Sequence, residues 1–375
     1  MHLTIDYSAL LKQLDFHKED MKNKKVIFIG ENGHGVSEIQ SLKTQIIMYL
    51  YNNLEFSNIV FESGISEIAI ANHYKDKLSP KELLTNSLYD VWHTKENMEL
   101  FSLIKGCDIS IYGIDLQYQN NYFNQYVYFL LKIYSEDLAN EFSFAEGILN
   151  KLRLKISKRR DIKKVKKRLD LIYSQVYLSL INCQDEIMTM KNITKKTFDL
   201  ILKGIESRLK LIELWLMNFK MYCYYRDKYM YEHLSYLINN TSGKYIVWAH
   251  NYHVRKNNSI SDGWLNEKSL GEFYWEKKQD SYHLGIYMKE GIINNNQGKP
   301  YKIKNHGKNS LENELFKNTS SNFVFKSLDK TNNTGWINDV VIERESGIDK
   351  RKLIPSDQYD GIIGVNKVTP TKFLF

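Results

Sequence analysis

Gly30-Glu31-Asn32-Gly33-His34-Gly35 follows directly on the apolar run Lys25-Val26-Ile27-Phe28-Ile29. A β-rich run that breaks into glycines marks a strand ending in a turn. In open α/β sheets, ligands bind at those carboxyl ends. The glycines permit backbone angles that other residues avoid, and the turn carries an acid and a histidine three positions apart. A second run, Tyr245-Ile246-Val247-Trp248-Ala249-His250-Asn251-Tyr252-His253, repeats the pattern with two histidines three apart.

Beyond the first turn, Ile39, Leu42, Ile46, Ile47 and Leu50 recur at helical spacing and predict a helix over 37–54, with Ser37 as its N-cap. A strand over 58–61 then ends at Glu62. Helices are expected around 65–77, 80–88 and 97–105, and a third strand over 109–114 ends at Asp115. This β-α-β-α-β order, with acids at strand ends, predicts an α/β fold with a mostly parallel central sheet flanked by helices. From about 122 to 239 there is no Pro, almost no Gly and a helical apolar period, so a long helical insertion separates the third and fourth core strands. Sheet signals return at 245–249, with later β-like runs at 282–287, 322–325, 339–342 and 361–365, while 294–309 reads as a loop. The expected organisation is a first half of the core over 1–120, a helical subdomain over 121–240 and a second half of the core over 241–375.

The chain has 375 residues, 43% of them hydrophobic, enough for a sizeable buried core. Its three cysteines are widely spaced and match no metal-ligand pattern, which reads as reduced thiols of a cytoplasmic protein. No basic region followed by an apolar stretch opens the sequence, so no signal peptide is expected. No apolar run approaches the ~18 residues of a membrane helix. Much of the net charge of +8 lies in 151–168. That stretch reads as the solvated face of a helix burying Leu152, Ile156, Ile162 and Val165, or as a dock for an anionic partner. No recognisable nucleic-acid module accompanies it.

Glu31, His34, Glu62, Asp115, His250 and His253 all fall at or just past strand ends, which a parallel sheet brings to one edge. A neutral histidine can take a proton from water while neighbouring carboxylates fix its tautomer. A second histidine can polarise a carbonyl or protonate a leaving group. No Gly-x-Ser-x-Gly elbow is present and no cysteine lies near these motifs, so a covalent acyl-enzyme is not suggested. The same set suits a divalent metal held by His34, Glu62, His250 and His253, and the sequence leaves that open; no other cofactor is expected. Trp248 and Tyr252 flank the histidines and are placed to shape a pocket.

Gly30 to Gly35, followed by Glu38 and Lys43, resembles the opening motif of the erythromycin esterase family. Glu62 matches that family's second-strand glutamate. Trp92-His93-Thr94-Lys95-Glu96 is similar to its Trp-containing motif, and Tyr112-Gly113-Ile114-Asp115-Leu116-Gln117 to its Gly-x-Asp-x-Gln segment. Arg226-Asp227 with Met230, then Trp248-Ala249-His250-Asn251-Tyr252-His253-Val254, resemble its later motifs, and Tyr359-Asp360-Gly361 to Pro370 its last strand. The resemblance spans most of the chain in the family's order. It implies a deep cleft at the strand ends for a small-molecule or peptide substrate. It further implies hydrolysis of an ester or lactone by a water that His34 activates, with Glu62 supporting and Glu31, His250 and His253 completing the site. Lys43, Trp92, Asp115, Arg226, Trp248 and Tyr252 are the expected substrate-side residues. Lys43 stands where the family usually has Arg and loses the planar, bidentate fork, so recognition of a substrate carboxylate or carbonyl is expected to differ. The family spans macrolide hydrolysis tied to antibiotic resistance, polysaccharide biosynthesis and natural-product tailoring. The alternative is a lyase-like or peptide-tailoring step at the same site, favoured by Lys43 and the basic insert.

Overall fold

Ten strands lie among the described residues, which are 7–118, 122–153, 159–263, 265–329, 331 and 335–374 of this computed structural model. They are β1 (Val26–Ile29), β2 (Asn58–Gly64), β3 (Ser110–Asp115), β4 (Tyr245–Trp248), β5 (Ser281–Asn294), β6 (Pro300–Lys302), β7 (Phe323–Ser327), β8 (Val341–Glu345), β9 (Asp349–Leu353) and β10 (Gly361–Val368). The chain divides into two units. One comprises Met1–Glu62, Asp90–Ser110 and Thr241–Phe375; the other comprises Ser63–Tyr89 and Ile111–Asn240.

In the first unit the strand order is β2-β4-β1-β5-β10-β7, with β6 paired off β5. The pairs β2/β4, β4/β1, β1/β5 and β5/β10 are parallel, while β10/β7 and β5/β6 are antiparallel. Every residue of β1 and β4 is buried, as expected of central parallel strands covered on both faces. The chain leaves β1 through the helix Ser37–Leu54 and returns as β2, leaving room for β4 beside β1, while β5 lies on the other side of β1. In open α/β sheets such a reversal of strand order marks the carboxyl-end positions where ligands bind. The register makes the convergence concrete: Trp248 stands level with both Ile29 and Phe61. The next residues along these three strands, Gly30-Glu31, Ala249-His250 and Glu62, therefore emerge side by side.

Two glycines of the first turn have specific causes. A Cβ on Gly30 would sit 2.0 Å from Asn251 Oδ1, and Gly33 has a φ of +140°, where side chains are strained. Ser37 begins the following helix rather than capping it; the N-cap is Val36, and the Ser37 hydroxyl donates to Glu96 Oε1 at 2.7 Å. The β-like run at 339–342 lies off the main sheet, in the separate antiparallel hairpin β8–β9. The expected loop over 294–309 contains β6, which extends the end of β5.

The second unit is mainly helical. Its core gathers Phe123, Leu130, Phe142, Ile172, Val176 and Ile205, among others, from helices including Tyr122–Tyr134, Glu136–Arg153, Arg159–Asn182 and Lys195–Leu214. Ser63–Tyr89 packs with it through residues far along the chain. Gly204 is so close to Ser66 that an added Cβ would lie 2.3 Å from the serine's own, and Arg208 donates to Glu67 at 3.0 Å. Arg208 also reaches Glu146 at 3.4 Å and lies over the Tyr118 and Phe123 rings, so its buried charge is matched on every side. In the basic stretch, Leu152 and Ile162 are buried and Val165 is half-buried, while Arg159, Arg160, Lys163, Lys164, Lys167 and Arg168 are exposed. Ile156 lies outside the described residues. Among the described residues, no helix is long and apolar enough to cross a membrane.

Candidate active site

Glu31 is the hub. Its side chain is fully buried, and both oxygens are taken. Oε1 accepts from His34 Nδ1 at 2.5 Å and Trp92 Nε1 at 3.0 Å. Oε2 accepts from Lys43 Nζ at 2.9 Å, Gln40 Nε2 at 3.1 Å and Trp248 Nε1 at 3.1 Å. Burial alone would raise this carboxyl, but the Lys43 ammonium and the His34 ring hold it down to about 2. An ionised carboxylate can only accept, so His34 carries its proton on Nδ1 and keeps the Nε2 lone pair free of that bond. Helix geometry supplies the second half of the hub, because Gln40 and Lys43 are one turn apart on the helix Ser37–Leu54 and face Glu31 together.

Lys43 lies beneath this arrangement. Its side chain is 0% exposed, and its ammonium sits 4.0 Å from the Trp248 ring centroid. Burial pushes the ammonium down to about 8 against the attraction of Glu31. Lys43 was expected at the substrate; the structure commits it to Glu31. Trp92 and Trp248, also expected there, are 2% and 1% exposed and spend their indole N–H groups on the same carboxylate. The Trp92 ring still meets His34 edge-on, 4.9 Å between centroids.

Glu62 is a second hub. Oε1 accepts from His253 Nε2 at 3.0 Å, and Oε2 accepts from the His250 backbone N–H at 2.9 Å. The two histidines lie around a one-turn helix, Asn251–Val254, with His250 as its N-cap. The Tyr252 backbone N–H donates to His250 Nδ1 at 3.2 Å, which leaves the proton of neutral His250 on Nε2. Burial pushes this imidazole down to about 4; Glu345 and Glu62 oppose the shift, and His34 and His253 add to it. The His34 and His250 rings are 5.4 Å apart, centroid to centroid. Their side chains are 16% and 12% exposed, against 0% for Glu31 and Lys43, so the two rings are more open to solvent than the buried pair that supports them. Tyr252 is buried, with its ring against that of His253.

Asp115 and Arg226 belong to the second unit and pair there, Arg226 Nε and Nη2 both donating to the Asp115 carboxylate. Among the described residues, no three His, Cys, Asp or Glu side chains are grouped to hold a metal ion. Asn32, Gln40 and a charged cluster on the hairpin β8–β9 are absent from the sequence-based set. Asn32 joins that hairpin to the first turn: its Nδ2 donates to the Arg344 carbonyl at 2.8 Å, and its Oδ1 accepts from the Ser346 N–H at 2.8 Å. Gln40 was legible one helical turn before Lys43. Nothing local marks the hairpin residues, whose contacts are all distant in sequence.

A family model described as erythromycin esterase matches residues 52–368. "Putative hydrolase YbfO" of Bacillus subtilis (strain 168) is 27% identical over 395 residues, covering 97% of this chain and 88% of its own length. A solved Bacillus cereus protein superposes with a TM-score of 0.76 at 20% identity, over 99% of this chain and 95% of the other. A mutant of the erythromycin esterase EreC, in its open conformation, superposes with a TM-score of 0.65 at 14% identity, over 99% and 96%. At these identities the structural likeness is one of fold.

Proposed function

Because the chain belongs to the erythromycin esterase family, we propose that it is a hydrolase that cleaves an ester, lactone or related acyl bond of a natural product with a water activated by His34. The observation that carries this reading is the His34–Glu31 bond of 2.5 Å. Glu31 fixes the tautomer and stabilises the imidazolium that forms when Nε2 takes a proton from water. The hydroxide bonds to the acyl carbon, and negative charge builds on the acyl oxygen. The Nε2–H of neutral His250 donates to that oxygen, in the manner of a histidine kept neutral by its surroundings. The intermediate then collapses, and His34 returns the proton to the departing oxygen. No step forms a bond between protein and substrate. Glu62 holds His253 and the His250 backbone and so sets the spacing of the second ring against the first.

The name "Putative hydrolase" carried by YbfO supports the reaction class. The lyase-like alternative loses one of its two supports, because Lys43 is committed to Glu31. The test is turnover of a panel of aryl esters, lactones and macrolactones in isotopically labelled water, read by mass spectrometry. Hydrolysis adds one water and places the label in the new carboxylate. A product formed by loss of a group with no label incorporated would overturn the reading.

A further inference from the structure

We infer that the exposed face of the helix Arg159–Asn182 docks the protein onto the surface of an anionic phospholipid bilayer. This helix carries most of the basic stretch, and no step of the proposed reaction uses it.

Helix geometry decides which residues are presented. Ile162, Leu169, Ile172, Tyr173, Val176 and Leu180 are buried, on the side where the helix packs against Glu136–Arg153 and Lys195–Leu214. Arg160, Lys164, Lys167, Leu171 and Leu178 recur at steps of four, three, four and seven residues, which places them on one stripe along the opposite side. All five are exposed, Leu171 and Leu178 by 59% and 58%. Phe144 of the neighbouring helix is exposed too, and the Arg168 guanidinium lies 4.2 Å from its ring centroid. Arg168 is one turn before Leu171, so apolar and basic side chains share one patch rather than lying scattered.

The charge on this face is not neutralised from within. Arg160, Lys163, Lys164 and Lys167 are exposed and make no ion pair among the described residues. Asp161 and Asp170 lie off the stripe, and Asp170 is taken by Lys166 at 2.6 Å. Glu141 of the neighbouring helix reaches Arg168 at 3.4 Å and leaves the other four cations untouched.

A bilayer with acidic headgroups satisfies both halves of the stripe. Headgroup phosphates pair with the Lys and Arg termini, whose long stems bridge from the apolar boundary to the charged layer. Leu171, Leu178 and Phe144 enter the boundary between headgroups and acyl chains, with the helix lying along the surface. A nucleic acid or an acidic peptide pairs the cations but leaves the leucines against polar groups. A second copy in two-fold symmetry brings the same face, which has cations and leucines to offer but no acids along the stripe.

The experiment is cosedimentation of the full chain with two kinds of vesicle, phosphatidylcholine alone and phosphatidylcholine with about one-third phosphatidylglycerol. The protein should partition onto the acidic vesicles and not the neutral ones, and less as salt is raised. Each Lys or Arg near an acidic surface contributes about fivefold, so Lys163→Gln/Lys164→Gln/Lys167→Gln should lower partitioning about 100-fold. The same charge removed elsewhere, in Lys299→Gln/Lys302→Gln/Lys304→Gln, should change it by less than about fivefold. Leu171→Ser/Leu178→Ser keeps the charge and should lower it about 10-fold. Circular dichroism checks that each variant is folded. Failure to partition onto acidic vesicles overturns the inference, as do equal losses from the two lysine triples or wild-type binding by the folded leucine variant. Binding to a DNA duplex or polyglutamate as tight as to vesicles and indifferent to the leucines assigns the face to an acidic polymer instead. A dimer that dissociates in the leucine variant assigns it to a second copy, and either result overturns the bilayer.

Discussion

Replacing Glu31 with Gln removes one charge from a site where five donors converge. A glutamine offers one acceptor oxygen, and its NH2 must face donors on the other side. Lys43, an ammonium with no exposure, claims the oxygen, so the NH2 turns toward His34 and Trp92. His34 can satisfy that NH2 only by accepting at Nδ1, which moves its own proton to Nε2 and removes the lone pair that would receive a proton from water. Catalysis should fall by roughly 1,000- to 10,000-fold, the scale seen when a triad histidine is held in the wrong tautomer. Stability should fall as well. The carboxyl is held down from 4.5 to about 2, and at ~1.36 kcal/mol per pKa unit the charged form contributes about 3 kcal/mol. The sign is fixed by the direction of that shift. A depressed carboxyl stabilises the fold above its unfolded value and loses that contribution as pH falls from about 4.5 to about 2. Urea unfolding measured across that window should show the loss in the wild type and not in Glu31→Gln. Ester turnover within tenfold of wild type, or an unchanged acid dependence of stability, would refute the hub role of Glu31.

Three further outcomes follow from neighbouring contacts. Lys43→Met leaves Glu31 buried without its cation and should destabilise by about 3 to 5 kcal/mol; urea midpoints check this, and a loss below about 1 kcal/mol would contradict it. Gly30→Ala puts a methyl 2.0 Å from Asn251 Oδ1 and 2.9 Å from Val254 Cγ2. It should lower stability by about 1 to 3 kcal/mol and shift the His250–His253 segment, with kcat falling in parallel; an unchanged melting temperature would count against the close approach. In the second unit, Arg208→Leu strands Glu67 and Glu146 and should cost about 3 to 5 kcal/mol, read by thermal unfolding; a neutral result would mean the triad is not held as described.

Much of the site was legible in the sequence because strand ends are legible. Short β-branched runs that break into Gly, His and Glu place Glu31, His34, Glu62, His250 and His253 at the edge of a parallel sheet before any contact is known. The partners were not legible. Lys43 has helical spacing suited to facing the first turn, but spacing does not say whether it faces a substrate or Glu31, and the fully buried ammonium decides for Glu31. The two indole N–H donors come from residues 61 and 217 positions away from Glu31. The hairpin β8–β9 is joined to the first turn by Asn32, a contact between residues 314 positions apart. The assignment of Ser63–Tyr89 to the helical unit was hidden for the same reason, since Arg208 and Gly204 hold that segment from far along the chain.

The most direct test of His34 as the water-activating base is kcat/KM for an ester or lactone substrate with His34→Ala and His34→Gln, alongside circular dichroism and urea unfolding. Both variants should stay folded and lose at least about 1,000-fold in kcat/KM, the general-base contribution together with the misplaced water. Turnover within tenfold of wild type in a folded variant would contradict it.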